Sequence, residues 1–562
     1  MSIESYEQFL DLGRAFGVEI HRPGRSQLHF LVESAPKLMQ FCSRLREESC
    51  WLIMLVTNDE RELEDNCFKQ YYFFTHSELN VFIVIELALS PGLETYPSIL
   101  PIFPSVAPFE REIADLFGLR PDKSEDQLVY QTYLHSCYPQ RLFPLRRDWD
   151  RGELQRLSSN FEQESNPFFP SLAKQKGEGE LDLPVGPIHA GVIEPGKFTF
   201  RTSGEIIERL EYQLGYTHKG IEHLFQREYD LENGWRLAEK VVGDSSFSHS
   251  LAYCKAVEVL SSVVVPPQAL LLRAIFLEME RITNHLADCA GLVHDIAFEI
   301  ISSELSVLRE EMMQLNGRLT GSRFLRGVNR PGGVVLGHSF DGKIIRPIIR
   351  RITERFLSIA QTLVEHSGFR DRTSGVGVLS RETALHFGVT GLAARASGVR
   401  RDFRIQHPFG PYSDSDVQDL LQGQAEGGLP ISISVEMNGD VFSRFIQRVI
   451  EVWTSYCLIE YFLDKWENCP PEELLSPLRF SEQGNFEWGL GYVEGWRGDV
   501  VYWVMKDKFN RIYRCKVRDP STLNWPGLAA AVMPKSFKRE TALADFPIIN
   551  KSFSLSYSGN DL

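Results

Sequence analysis

Cysteine, histidine and acidic side chains are the residues that could bind a metal ion in this sequence. The nine cysteines stand at positions 42, 50, 67, 137, 254, 289, 457, 469 and 515, and no pair has the C-x-x-C spacing that lets two thiolates hold one metal ion. We interpret them as buried free thiols in a reducing compartment. Glu278, His285 and Asp288 recur at helical spacing, but Arg281 stands between them, which favours a polar contact between helices over a metal site.

The sequence does not indicate binding of a nucleotide, a nucleic acid or a membrane by this chain itself. The glycines at 332–333 and 375–377 do not have the G-x-G-x-x-G form that opens a helix after a strand. A net charge of -15 argues against nucleic acid as a partner. The most apolar runs, 81–89 and 257–279, are too short or are interrupted by Pro266-Pro267 and by charges. We therefore expect membrane association only through partner subunits.

The hydrophobic periodicity predicts an α+β fold with two domains. Residues 1–150 form a mixed α/β domain, with strands at 27–32 and 81–87 and helices at 36–48 and 109–117. Residues 151–182 are rich in charge and proline and form an interdomain linker. Residues 183–562 form a mainly α-helical bundle with small β-sheet appendages. Its predicted elements are a β-rich opening at 185–201, helices at 204–227, 233–264, 268–294, 302–319, 346–365 and 439–466, and a hairpin at 486–513.

Two segments of the first domain carry a family resemblance. They are Phe109-Glu110-Arg111-Glu112-Ile113-Ala114-Asp115-Leu116-Phe117-Gly118-Leu119 and Arg141-Leu142-Phe143-Pro144-Leu145-Arg146-Arg147-Asp148-Trp149. The pair resembles the 30 kDa-type subunit of complex I, in which E-R-E-x-x-D-x-x-G precedes H-P-L-R-K-D-Y. Phe143 stands where that family has histidine. The charged helix face suits ion pairs, so we interpret this part as a docking domain without chemistry of its own.

The second domain resembles a related large subunit. Segments 184–196, 214–222, 329–334, 372–377, 439–444 and 514–521 are similar, in the same order, to the large subunit shared by complex I and the formate-hydrogenlyase type of nickel–iron hydrogenase. The resemblance covers roughly residues 20–562. The fused order, a 30 kDa-like domain before a 49 kDa-like domain, is a known arrangement in both branches.

The resemblance also indicates where a metal centre would lie. In the hydrogenase branch, four thiolates from two C-x-x-C pairs hold nickel and iron. The flanking segments 240–249 and 551–559 place Val242, Ser245, Ser556 and Gly559 at those positions. A serine hydroxyl is a hard, largely protonated donor, and the other two side chains have no donor atom. We expect no nickel site and no hydrogenase activity. Val242-Gly243 also replaces the Asp-Tyr pair that serves the quinone head group in complex I.

Three polar residues are candidates for proton transfer around a retained cavity. Glu222 matches a glutamate that relays protons in the hydrogenases; burial would raise its pKa, whereas Lys219, one turn earlier, would oppose that shift. His189 lies in the loop that supplies a histidine to the quinone in complex I. His249 lies seven residues after Val242, on the same helix face. Ion pairing for Glu222 and a satisfied core position for His249 are the structural alternatives.

The resemblance implies a peripheral-arm subunit of a membrane-associated oxidoreductase complex, on the cytoplasmic side. The chain would bind no cofactor itself. An iron–sulfur small subunit, a ferredoxin-like subunit and membrane subunits would be its partners, and other subunits would handle nicotinamide dinucleotides. Electrons would pass to a quinone or another acceptor, with coupling to proton or other ion translocation. Two alternatives stay open: a non-catalytic coupling scaffold, and a metalloenzyme with His249, Glu222 or Asp244 as new ligands.

Overall fold

The computed structural model describes most of the chain. The described residues are 3–16, 18–24, 27–90, 92–122, 133–134, 138–139, 142–158, 179–189, 194–337, 340–422, 437–480, 485–533 and 540–562. Within them, helices and small sheets form the predicted α+β fold. None of the helices in these ranges is long and apolar enough to cross a membrane.

The N-terminal domain is built on a five-stranded sheet. Its strands are β1 (Glu19–Gly24), β2 (Gln27–Val32), β3 (Cys50–Glu60), β4 (Cys67–His76) and β5 (Phe82–Leu89), in the spatial order β1-β2-β5-β4-β3. The pair β2–β5 is parallel and the other pairs are antiparallel. A short parallel pair joins β6 (Thr95–Pro97) to β7 (Arg120–Asp122). The helices are α1 (Ile3–Ala15), α2 (Ala35–Glu47), α3 (Ala107–Phe117) and α4 (Arg151–Ser158). The predicted strands and helices of this domain are confirmed.

The C-terminal domain opens with an antiparallel sheet and continues as helices. The sheet contains β8 (Glu180–Val185), β9 (Lys197–Ser203) and β10 (Ile206–Gln213). The first group of helices is α5 (Ile221–Glu228), α6 (Trp235–Ala238), α7 (Ser246–Ser261), α8 (Pro267–Asp295) and α9 (Glu299–Thr320). After the ribbon of β11 (Asn329–Arg330) and β12 (Gly333–Val334) come α10 (Gly342–Glu365), α11 (Ser367–Thr373), α12 (Arg381–Phe387), α13 (Gly391–Ala396), α14 (Phe403–Gln406), α15 (Ser415–Leu421) and α16 (Val441–Glu467).

The chain ends with a second sheet and three helices. The strands β13 (Glu487–Glu494), β14 (Asp499–Lys506) and β15 (Ile512–Arg518) form an antiparallel meander. The last helices are α17 (Ser521–Val532), α18 (Phe546–Phe553) and α19 (Tyr557–Asp561). The hairpin predicted at 486–513 is therefore the main part of a three-stranded sheet.

Two helix predictions need correction. The segment predicted as one helix at 204–227 is strand β10 followed by the short helix α5. Gly215 and Gly220 have φ values of 94° and 67°, which end the strand and precede the helix. The helix predicted at 233–264 divides into α6 and α7, because a turn at 239–245 separates them. The long helices at 268–294, 302–319, 346–365 and 439–466 are confirmed as α8, α9, α10 and α16.

The sheet of β13, β14 and β15 separates the two hydrophobic cores. Along β14, Val500, Tyr502 and Val504 pack into the core of the C-terminal domain. The alternating residues Trp503 and Met505 pack into the core of the N-terminal domain. Alternation with a period of two is what turns successive side chains to opposite faces. This sheet, the shared sheet, therefore contributes one face to each hydrophobic core.

The segment between the domains is described in part. Residues 151–158 form α4, and β8 begins at Glu180, three residues before the predicted start of the second domain. Residues 159–178, most of the predicted linker, lie outside the described residues. The boundaries at 150 and 183 stay predictions.

Candidate functional site

The four positions at which the resemblance implies thiolates lie at the starts of two helices. Val242 and Ser245 belong to the turn before α7, and Ser556 and Gly559 belong to the first turn of α19. The carboxylate of Glu280, from α8, accepts hydrogen bonds from the first backbone N–H groups of α7 at 2.7 and 3.1 Å. A helix start that is capped by a carboxylate is held in a fixed place.

Gly559 and Val242 are packed against each other. A Cβ atom added to Gly559 would lie 2.8 Å from a methyl carbon of Val242 and 2.5 Å from the carboxyl carbon of Asp519. Both distances are far below van der Waals contact. The space that a cysteine side chain would need at position 559 is already filled by protein atoms.

Arg497 brings a permanent positive charge to the second ligand position. Its guanidinium makes a bidentate ion pair with Asp244 at 2.5 and 2.8 Å and donates to the hydroxyl of Ser245 at 3.0 Å. It also donates to the carbonyl of Ser554 and lies over the ring of Trp496, 3.8 Å from the centroid. Planar pairing with a carboxylate and stacking on an aromatic ring are what a guanidinium does best. The hydroxyl of Ser245 is thus bound within the protein.

Ser556 caps a helix. Its hydroxyl accepts a hydrogen bond from the backbone N–H of Gly559 at 2.9 Å, and its own N–H donates to the hydroxyl of Ser521 at 2.9 Å. Serine is a preferred residue at the start of a helix because its oxygen satisfies a free N–H group. Ser556 therefore stabilises the start of α19.

His249 joins two partners in the core beside these positions. Its Nε2 lies 3.1 Å from Asp519 and its Nδ1 lies 2.9 Å from the hydroxyl of Tyr502. Burial opposes ionisation of Asp519, but the hydrogen bond from His249 and the charges of His249 and Arg497 hold its pKa below the usual value. The three side chains form a buried series of carboxylate, imidazole and phenol, which are groups that can pass a proton.

Glu222 lies at the outer edge of β15. One carboxylate oxygen accepts from Lys516 and from the backbone N–H of Val517, both at 3.0 Å. The other oxygen is 2.7 Å from Arg514, in an ion pair that lacks hydrogen-bond alignment. Burial opposes ionisation, yet the charges of Arg514 and Lys516 lower the pKa of Glu222. The shift is opposite to the one that burial alone would give.

Lys219 does not pair with Glu222. Its ammonium donates to the backbone carbonyls of Lys240 and Val241 at 2.7 and 2.9 Å. The i, i+3 ion pair that the spacing favours is therefore absent from these described residues. The cations that hold Glu222 come from β15, almost three hundred positions later in the chain.

Lys516 also binds a carboxylate of the other domain. Its ammonium lies 2.7 and 2.6 Å from the two oxygens of Glu112, which belongs to α3. Burial raises the pKa of Glu112 to about 7, with the charge of Glu222 acting in the same direction and Lys516 against it. One lysine is therefore shared by two buried carboxylates, one from each domain.

His189 is placed apart from the other two candidates. Its Nε2 pairs with the carbonyl of Gly196 at 2.7 Å, and its ring is 5.9 Å from that of Phe198. The same loop sends Glu194 to the backbone N–H groups of Tyr557 and its neighbour, at 3.0 and 3.1 Å. The loop that carries His189 thus packs on α19. Residues 190–193 of this loop lie outside the described residues.

A small pocket opens where Glu222 meets the N-terminal domain. It has a volume of about 30 Å³, which is room for at least one water molecule. Its walls come from both domains: Leu116, Tyr133, Pro144, Leu145, His218, Gly220, Ile221, Glu222, His223 and Leu562. The cavity predicted around the former metal positions stays a prediction.

Reasoning from the sequence missed several residues of this site. Asp519 and Lys516 lie inside a segment that the sequence identifies only as a family motif, and Glu112 lies inside another. Arg497 and Tyr502 have no sequence signal beyond the alternation of the hairpin. The signal that could have found Lys516 is the alternation of Arg514, Lys516 and Arg518 in one strand, since buried cations need carboxylate partners.

Other polar residues form a large structural contact between α8 and α16. His285 lies 2.9 Å from Glu451, and Asp288 binds Arg448 at 2.7 Å. The interpretation of this face as a polar helix contact is confirmed. Within the described part of the chain, no group of three or more histidine, cysteine or acidic residues is placed to hold a metal ion.

Comparison with protein families gives two matches, one in each domain. Residues 31–154 match the 30 Kd subunit of respiratory-chain NADH dehydrogenase, and residues 303–475 match the 49 Kd subunit. Formate hydrogenlyase subunit 5 of Escherichia coli is 30% identical over 94% of this chain and 88% of its own length. NADH-quinone oxidoreductase subunit 4 of Thermus thermophilus is 28% identical over 64% of this chain and 90% of its own length.

A solved structure shows the same fold. It is that of the membrane-bound sulfane sulfur reductase, an archaeal respiratory membrane complex, with a TM-score of 0.59 and 24% identity. The match covers 69% of this chain and all of the other chain. With the family matches, the sequence similarity and the shared fold together, the chain belongs to the family of formate hydrogenlyase subunit 5 and of the 30 and 49 kDa complex I subunits, with both domain types fused.

Proposed function

We propose that the chain is the peripheral-arm subunit of a membrane-associated, complex I-related oxidoreductase complex, in which it handles protons at a buried site. A partner iron–sulfur subunit would deliver electrons near this site, to a quinone or another acceptor. A ferredoxin-like subunit and membrane subunits would complete the assembly on the cytoplasmic side. The observation that carries the proposal is the buried series of Asp519, His249 and Tyr502, with Glu222 bound at the edge of the same sheet.

The residues present do not fit a nickel–iron centre. None of the four ligand positions has a thiolate, and the side-chain space at Gly559 is filled by Val242 and Asp519. Nickel and iron of this type need soft sulfur donors. Hydrogen production is therefore not part of the proposed function.

New ligands for another metal are also disfavoured by the contacts. The donor atoms of His249 are bound to Tyr502 and Asp519, and Asp244 is held by Arg497. A metal ion would have to break these pairs, each of which satisfies a buried group.

A coupling scaffold without redox chemistry of its own is the second candidate. The observation that favours it is the close packing at Gly559 together with the charge of Arg497, because no open space is shown for a substrate at these positions. In that case the buried series would only link proton movement to changes in partner subunits.

The test is turnover of the purified complex with the variants Glu222→Gln and His249→Gln. Electron transfer from a chemically reduced iron–sulfur donor to a soluble short-chain quinone is measured per assembled complex, together with complex yield and nickel content. The redox proposal expects full assembly, no nickel and turnover that falls by roughly 10²-fold in Glu222→Gln. Wild-type complex that transfers no electrons favours the scaffold. One equivalent of bound nickel, or unchanged turnover in Glu222→Gln, contradicts the proposal.

A further inference from the structure

The shared lysine gives the N-terminal domain a direct place in the buried site. Glu222 lies on α5 and Glu112 lies on α3, in different domains, and the ammonium of Lys516 contacts both. All three side chains are at most 6% exposed. This bridge couples the two carboxylates electrostatically, because the charge of each one acts on the same ammonium group.

Glu222 lies at the edge of the sheet of β13, β14 and β15, between the groups on its two faces. Tyr502 lies on the face of the shared sheet that packs on α7, and its partner His249 belongs to that helix. Lys516 lies on the opposite face, toward α3. The backbone N–H of Val517, opposite Tyr502 in the register, donates to Glu222. Glu222 therefore contacts the edge strand β15, between the two faces of the shared sheet.

We propose that Glu112 is the proton acceptor that follows Glu222, and that Lys516 passes the proton between them across the domain interface. This inference rests on the proposed function. In the step, Lys516 gives a proton to the Glu112 carboxylate and takes one from the protonated Glu222. The lysine ends as it began, Glu222 becomes ionised and Glu112 becomes neutral, so charge and protons balance.

The surroundings of Glu112 favour a group that changes its charge near neutral pH. The titratable or charged groups that face it are Lys516 and Arg514 of β15, Glu222 of α5 and Tyr133, which lies after α3. Arg514 and Lys516 carry two positive charges, and the two carboxylates carry two negative charges when both are ionised. One added proton therefore changes the net charge of the cluster from zero to plus one. Glu112 is therefore poised to accept a proton when Glu222 gives one up.

Helix α3 also provides a matched control. Glu110 lies two residues before Glu112, is as deeply buried and has its pKa raised to about 7 by burial. It accepts two contacts from Ser98, at 2.9 and 3.0 Å, within its own domain. A Glu110→Gln variant changes the same kind of residue on the same helix without touching the bridge.

The first experiment measures coupling in the purified full chain, independent of any reaction. The C=O absorption of protonated carboxyl groups is titrated by infrared difference spectroscopy in the wild type and in Glu110→Gln, Glu112→Gln and Glu222→Gln. The Glu112 signal is the one lost in Glu112→Gln. In Glu222→Gln its midpoint should fall by about one pH unit, because a neighbouring negative charge is gone, while the Glu110 signal stays. An unmoved Glu112 midpoint overturns the proposal.

The second experiment measures transfer in the assembled complex. Turnover per complex should fall by roughly tenfold or more in Glu112→Gln and stay normal in Glu110→Gln. Lys516→Arg keeps the positive charge, but an arginine does not release its proton, so this variant should assemble and turn over slowly. Normal turnover in Glu112→Gln or in Lys516→Arg overturns the relay even if the infrared coupling is found. If instead Glu222→Gln also has normal turnover, the proposed function itself fails.

Discussion

The two ends of the buried site have been treated differently in this chain. At the former metal end, around Gly559 and Arg497, the side chains fill space and satisfy one another. At the other end, Glu222 and Glu112 share one lysine in a buried ionic cluster. The first end pairs its charges one to one, and the second shares one cation between two buried carboxylates. The two ends are therefore different kinds of polar contact within one buried region.

Removing the shared cation should give the largest loss of stability. Lys516→Met leaves Glu112 and Glu222 buried without an ammonium, and breaking a buried pair in this way costs about 3–5 kcal/mol. The loss should be greatest at high pH, where both carboxylates are ionised, and smaller in acid. Urea unfolding at several pH values measures it. A loss that does not change with pH would contradict the description of this end as an ionic site.

Filling the metal end further should cost less. Gly559→Ala adds a carbon 2.5 Å from Asp519, and overpacking of this kind costs about 1–3 kcal/mol. Gly243→Ala is the matched control, since the nearest atom to its new carbon is 3.9 Å away. Thermal unfolding of both variants tests the difference. Equal stability of the two would mean that the positions around Gly559 are open enough for a ligand.

Removing the cation of the metal end should have a milder effect. The side chain of Asp244 is 37% exposed, so in Arg497→Met water can replace part of the ion pair. We expect a loss of about 1–2 kcal/mol, mainly from the hydrogen bonds. A double-mutant cycle with Asp244→Asn isolates the pair. A loss as large as that of Lys516→Met would remove the contrast between the two ends.

Glu110→Gln is expected to gain stability relative to the wild type at high pH. The folded-state pKa of Glu110 is raised to about 7 from 4.5, so the folded protein keeps a proton that the unfolded chain releases. Wild-type stability therefore falls as the pH rises between these values, and the glutamine variant lacks this fall. Relative to the wild type, the variant should gain about 2–3 kcal/mol on passing from about pH 5 to about pH 8. A gain that appears only below about pH 5 would have the wrong sign.

The sequence predicted the α+β fold and the long helices, because their apolar periodicity is strong. It failed at 204–227, where an amphipathic pattern suits either a strand or a helix and the φ values of Gly215 and Gly220 decide. Glu222, His189 and His249 were named by resemblance, and the structure shows what each one contacts. The roles of these residues stay predictions.

The sequence could not predict which residues pair with the candidate residues. Lys516 is 294 positions from Glu222 and 404 from Glu112. The three residues meet only because the shared sheet packs between the two domains. Local spacing favoured Lys219 as the partner of Glu222, but its ammonium is taken by two backbone carbonyls. Ion pairs between distant segments depend on tertiary packing, which spacing rules for one helix do not contain.

The guanidinium of Arg497 has a consequence for how the protein is made. A metal ion has to be supplied to a chain after synthesis, and a site that needs one for its charge balance couples folding to the supply. An arginine is synthesised together with the carboxylate that it neutralises. We therefore expect the protein to fold in a cell that has no nickel, with an abundance that does not follow the nickel content of the medium.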